Sequence, residues 1–142
     1  MKTLVKLRKW TWELPQSLLG FILLFFYKKT LLKTFYYKDQ KVYIYDKFPG
    51  GISLGYYILV DYNREHLDCN SNCKARMRLQ DSIKHEHGHS IQSKYLGPLY
   101  LFTVGITSAC WNLLNRYIKP FKDMDYYSVW PENQANKLGG VK

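Results

Sequence analysis

Residues 85–89 read His-Glu-His-Gly-His, and this short string constrains the fold more than any other part of the chain. Side chains four apart on an α-helix project from one face, so His85 and His89 can reach a common point if the segment is helical. Glu86 follows at about 100° around the axis and stands beside that point. The flanking residues give the predicted helix two stripes. Leu79, Ile83, His87 and Ile91 form a line suited to a core, with His87 expected as a packed, hydrogen-bonded histidine. Asp81, Ser82, His85, His89 and Gln92 form a polar line offset from it. Gly88 has no side chain and lets a neighbouring strand or helix approach closely.

Around this helix, predicted over residues 75–94 and stopped by Gly97-Pro98, the chain reads as one α+β domain spanning residues 1–142. Upstream, residues 41–46 alternate and are rich in β-formers, Phe48-Pro-Gly-Gly51 signals a turn, and Ile52–Val60 reads as the returning strand of a hairpin. Residues 61–74 are polar and loop-like. Leu99–Leu114 is apolar, broken by Gly105, and reads as a buried helix or as a re-entrant or interfacial one. Residues 119–131 read as a long loop. A last helix opens at Glu132 and stops at Gly139-Gly140.

The first 37 residues are a separate question, with 38–142 as the core. Lys2, Lys6, Arg8 and Lys9 precede an apolar run, Leu14–Tyr27, that ends in Lys28 and Lys29. No small-residue cleavage site follows, and the run falls short of the ~20 residues that cross a bilayer. Residues 10–37 are expected to be an aromatic-rich helical segment packed on the core or lying in a membrane interface. A chain that is 46% apolar and 17% aromatic excludes a disordered protein. Its net charge of +10 admits an anionic membrane surface as a partner, and the basic residues interleave with apolar ones in a way that suits lipid headgroups. No motif points to specific nucleic-acid binding. Three cysteines, Cys69, Cys73 and Cys110, give no disulfide framework; Cys69 and Cys73, four apart, could bridge or hold a metal, but the favoured expectation is that all three are ordinary thiols in a reducing compartment.

Two imidazoles one helical turn apart form half of a divalent-metal site, and zinc is the ion that such a pair most often holds. Glu86 would then take a proton from the attacking water and pass it to a leaving amine. His-Glu-x-Gly-His on a helix, a preceding hairpin and the later Glu132-Asn-Gln-Ala135 together resemble the zincin metallopeptidases of the gluzincin type. That resemblance implies a small zincin-like fold and a Zn2+ cofactor. It also implies Glu132 as the third protein ligand, with a peptide or protein substrate. Members of that group often carry Asp one residue after the Ala, supporting a ligand histidine; this chain has Asn136, which accepts a hydrogen bond without adding charge. The resemblance further implies that the strand containing Ile52, Ser53, Leu54 and Gly55 pairs with substrate. Tyr126 or Tyr127 could donate to the oxyanion, although an aromatic pair packing the core is the plainer expectation. Asp123, Asp125 and His66 are substitute ligands. The wider string also resembles small HExxH proteins of bacteria and their phages, which implies a cytoplasmic or peripherally membrane-associated bacterial protein. Two other functions fit the same residues: a non-catalytic binding protein clamped by metal, and a membrane-surface effector working through its basic N-terminus.

Overall fold

The computed structural model describes residues 2–66, 70 and 73–141. Helices α1 (Lys2–Lys9) and α2 (Leu14–Phe26) lead into four strands: β1 (Leu31–Tyr37), β2 (Gln40–Tyr45), β3 (Gly51–Leu54) and β4 (Tyr57–Asp61). Helix α3 (Lys74–Leu96) follows. A π-helical turn at Leu101–Gly105 then runs into α4 (Ile106–Tyr117), the short α5 (Lys119–Lys122) and α6 (Glu132–Gly139). The architecture is α+β, as expected. The segment expected to be a loop over 119–131 also holds a 3-10 turn at Tyr126–Ser128.

The strands form one mixed sheet in the order β1-β2-β4-β3, which corrects the expected hairpin over residues 41–60. Strands β2 and β4 run parallel, with Val42 opposite Ile58 and Ile44 opposite Val60. The true hairpins are β1 with β2 and β3 with β4. The reason is Gly55. It sits at φ +57°, a left-handed conformation that glycine adopts without strain, and it turns the chain in the middle of the run expected to be one strand. The period of two divides the sheet's side chains between its faces. Val42, Ile44, Ile58 and Val60 pack with Ile83 of α3, whereas Tyr45, Tyr57 and Leu59 pack with Phe48 and, from α2, Leu23 and Leu24. Strand β3 is left at an edge, beside α3.

The expected 10–37 helix ends at Phe26, and residues 31–37 form the opposite edge strand instead. Phe35 and Tyr37 turn inward there while Thr34 and Tyr36 are exposed, an alternation that only a strand can satisfy. Of α2, only Leu23 and Leu24 pack apolar side chains on the core. Its buried residues are Gln16, Ser17 and Gly20, continuing from the buried Glu13 and Lys9 of the preceding turn. These polar groups are matched across the interface. The Lys9 ammonium donates to the Gly55 carbonyl at 3.0 Å. The Gln16 amide donates to Gly97 O at 2.8 Å and to Ser93 Oγ at 3.0 Å, and Ser93 Oγ donates to Glu13 Oε2 at 2.6 Å. Burying so many polar groups is tolerable because nearly all of them find a partner, Gln16 Oε1 being the exception. The second apolar segment is likewise helical but mostly exposed: Tyr100, Val104 and Trp111 are its buried residues. Among the described residues, no helix is long and apolar enough to cross a membrane.

Helix α3 begins at an N-cap formed by Cys73, whose sulfur accepts from the Arg76 amide. Cys73 is disulfide-bonded, which corrects the expectation of an ordinary thiol; the same expectation for Cys69 lies outside the described residues. Cys110 is a free, exposed thiol.

Candidate metal centre

The helix α3 carries both histidines into the interior. His85, Glu86 and His89 are each buried, and so is Glu132 at the first position of α6. What brings the two helices together is a contact without side chains. A Cβ placed on Gly88 would overlap the carbonyl of Ala135 and reach its Cα at 2.9 Å, so α6 lies directly against the α3 backbone. Gly139 meets the carbonyl of Lys84 in the same way. With α6 held there, Glu132 Oε2 stands 3.0 Å from His85 Nε2 and 3.5 Å from His89 Nε2.

The far side of each ring fixes its orientation. His85 Nδ1 lies 2.7 Å from Asn136 Oδ1, and His89 Nδ1 lies 2.7 Å from Gln92 Oε1. The Gln92 amide nitrogen donates to Pro131 O and to Gln134 Oε1, so its oxygen must face the ring, and His89 Nδ1 is the donor. Amide oxygens accept only; both Nδ1 atoms therefore carry hydrogen, and whenever a ring is neutral its Nε2 turns a lone pair inward. Glu132 Oε1 accepts from Ser108 Oγ at 2.5 Å, while Oε2 is buried without a hydrogen bond. With both rings neutral, the lone pairs of two imidazoles and a carboxylate converge in a buried pocket, and they repel unless a proton or a metal cation lies between them. The ligand atoms of His85, His89 and Glu132 all fall within 4.8 Å of one another, and this group could hold a metal ion. The donor set of two nitrogens and one carboxylate oxygen fits a tetrahedral ion with one position open.

The charges respond to this crowding. Burial alone would raise the Glu132 carboxyl, but His85, His89 and Ser108 outweigh it and hold the group well below the usual carboxylate range. Burial works against the His85 imidazolium, and Glu132 overrides it, lifting the ring above its ordinary value. Glu86 is pushed up by burial, which the two histidines only partly oppose.

A cleft of about 630 Å³ opens onto the centre. Its walls include His85, Glu86, His89 and Glu132, together with Ile52, Ser53 and Leu54 of β3. Glu86 points at the start of that strand: a Cβ on Gly51 would lie 2.9 Å from its carboxyl carbon. Gly55 is not on this wall; it lies past the end of β3, in the turn. Tyr126 lines the cleft, and burial pushes its hydroxyl up to about 12. Tyr127 does not line it; its ring packs edge-on against His85 at 5.2 Å. Tyr100 is buried in the cleft wall and donates to Ser53 O at 3.1 Å.

Other expectations are corrected by position. Asp81 and Ser82 are exposed on α3, one turn too early for the interior. His66, Asp123 and Asp125 are exposed and are not part of the His85, His89, Glu132 group. His87 is buried on the core side, its ring edge-on to Tyr37 at 5.5 Å and its Nδ1 3.2 Å from Ser90 Oγ. Gln92 had a legible place on the polar stripe, three residues after His89, although its bond to the ring did not. Ser108 gave no signal, being 24 residues from the carboxylate it serves. No protein-family model matches this chain, and neither a curated protein nor a solved structure matches it.

Proposed function

We propose that this chain is a zinc-dependent peptidase of the zincin kind, hydrolysing a peptide bond in the cleft beside β3. The observation that carries the reading is the convergence of His85 Nε2 and His89 Nε2 on a buried Glu132 oxygen that has no hydrogen bond of its own. His85, His89 and Glu132 would hold the ion, and when bound it would acidify a water and polarise the scissile carbonyl. Glu86 supplies the proton traffic. A carboxylate whose pKa is raised by burial takes a proton from the attacking water more readily than an ordinary one, and the same group, once protonated, passes that proton to the more basic leaving amine. The edge position of β3 supports main-chain pairing with an extended substrate. Tyr126, its hydroxyl held neutral in the cleft wall, is the better placed of the two tyrosines to donate to the oxyanion.

A non-catalytic clamp is the second reading, favoured by the neutral amides of Asn136 and Gln92 behind the two rings. The two readings part at one residue. Purified protein should hold about one zinc per chain, lost in His85→Ala. Glu86→Gln should keep the zinc and lose cleavage of a mixed peptide library. Zinc retained with cleavage unchanged would remove Glu86 from the chemistry. Absence of zinc from the parent protein would remove the reading altogether.

A further inference from the structure

Helix α2 is amphipathic in the wrong sense for a helix surrounded by water. Glu13, Gln16, Ser17 and Gly20, spaced by three and four, face the protein, where Glu13, Gln16 and Ser17 are hydrogen-bonded. The opposite side presents Leu18, Leu19, Phe21, Ile22, Phe25 and Phe26 to solvent, with Phe25 77% and Phe26 72% exposed. The turn after α3 and the segment beyond it do the same with Leu99, Phe102, Ile106 and Leu113. The two apolar surfaces adjoin. Gln16 is hydrogen-bonded to Gly97, and Leu19 lines the same cleft as Phe102 and Ile106. A continuous exposed surface of this kind marks a binding face.

The charge around it identifies what it binds. From Leu14 to Leu31 the sequence has Lys28 and Lys29, directly after α2, and no carboxylate, and from Leu99 to Lys122 it has Arg116, Lys119 and Lys122 and no carboxylate. Apolar side chains rimmed by cations, with Trp10 and Trp12 part-exposed nearby, have the composition of a surface that enters the headgroup layer of an anionic bilayer. Helix α2 has 13 residues and is about 20 Å long, against about 30 Å of hydrocarbon. It lies along the interface and does not cross it.

We propose that the exposed faces of α2 and of the 99–113 segment dock the protein on an anionic lipid surface, with the mouth of the cleft turned towards the lipid. The docking is independent of hydrolysis, because it is read by partition alone. The full chain should float with phosphatidylcholine vesicles containing phosphatidylglycerol, and much less with pure phosphatidylcholine. Phe25→Glu/Phe26→Glu, at sites exposed enough to leave folding intact, should lower partition at least about tenfold. Lys28→Ala/Lys29→Ala should lower it about fivefold per charge on anionic vesicles only. Met77→Glu is the control: Met77 is also an exposed apolar residue but sits at the other end of α3, about 30 Å from Gly97 along the axis, and it should change nothing. Equal binding to both vesicles, or binding unaffected by the phenylalanine pair while circular dichroism shows both proteins folded, would overturn the proposal. So would failure to bind vesicles accompanied by a dimer in sedimentation that the phenylalanine pair abolishes, since a second copy would then be the occupant.

Discussion

Gly88→Ala tests the link between helix packing and the metal centre. The new methyl would sit 2.6 Å from the carbonyl carbon of Ala135 and 2.9 Å from its Cα, where ordinary contact begins at 3.4 Å. Both atoms are backbone, so no rotamer change relieves the clash, and α6 must retreat by about 1 Å. Overpacking of this kind costs about 3 kcal/mol at the upper end, and the better helix propensity of alanine returns about 1 kcal/mol. The net loss is about 2 kcal/mol, or a melting point lower by roughly 6 °C for a chain of this size. A retreat of about 1 Å also exceeds the ~0.2 Å that ligand distances tolerate, so zinc should bind at least about tenfold more weakly as Glu132 and Asn136 withdraw together. Thermal melts with chelator and with zinc, alongside competition titration, read both effects. Gly105→Ala is the companion, because its Cβ would meet only ordinary contacts, the nearest at 3.7 Å; it should melt at or above the parent. A Gly88→Ala protein as stable as Gly105→Ala, with zinc affinity intact, would refute the claim that backbone contact sets the site.

Asn136→Asp places a carboxylate behind His85 and should tighten zinc, whereas Asn136→Leu should weaken it by about 10–100-fold; a competing chromophoric chelator measures both, and equal affinities would show the amide to be idle. Gly51→Ala should displace the Glu86 carboxyl and reduce any peptide cleavage while leaving zinc content at the parent level by elemental analysis. Tyr45 is buried and its hydroxyl is pushed by desolvation up to about 12. A folded value above the unfolded one, near 10, means the folded state keeps a proton the unfolded state has lost. Its contribution is therefore complete below about pH 10 and lost as pH rises towards 12. Relative to Tyr45→Phe, the parent should lose on the order of 1 kcal/mol across that window in urea titrations; parallel curves would contradict the assignment.

The parts of the site that were legible in the sequence are those fixed by local geometry. His85 and His89 share a face because helices repeat every 3.6 residues, and Glu132 was visible because Gly139-Gly140 marks a helix end seven residues on. What escaped was whatever depends on distant partners. Residues 31–37 looked like more of the apolar helix until β2 offered them a pairing edge. Ile52–Val60 looked like one strand because Gly55 can occupy a strand as well as a turn, and only the docking of Ser17 against it decides. The parallel pairing of β2 and β4 follows from that turn and has no signature of its own. The apolar content of α2 left its direction open between the core and a membrane interface; the hydrogen bonds of Gln16 and Ser17 claim the inner side and leave most of its apolar side chains outward.

The seat of α6 on α3 carries a consequence for ion choice. Where main chain rests on main chain, there is no flexible packing to absorb a change in size, so the gap between the imidazoles and the carboxylate behaves as a stiff gauge. Zinc asks for bonds of about 2.0–2.2 Å; calcium asks for about 2.3–2.6 Å and for six or more oxygens. A gauge set by two glycines cannot widen to the second specification, so discrimination by ionic radius would reside in residues that never touch the ion.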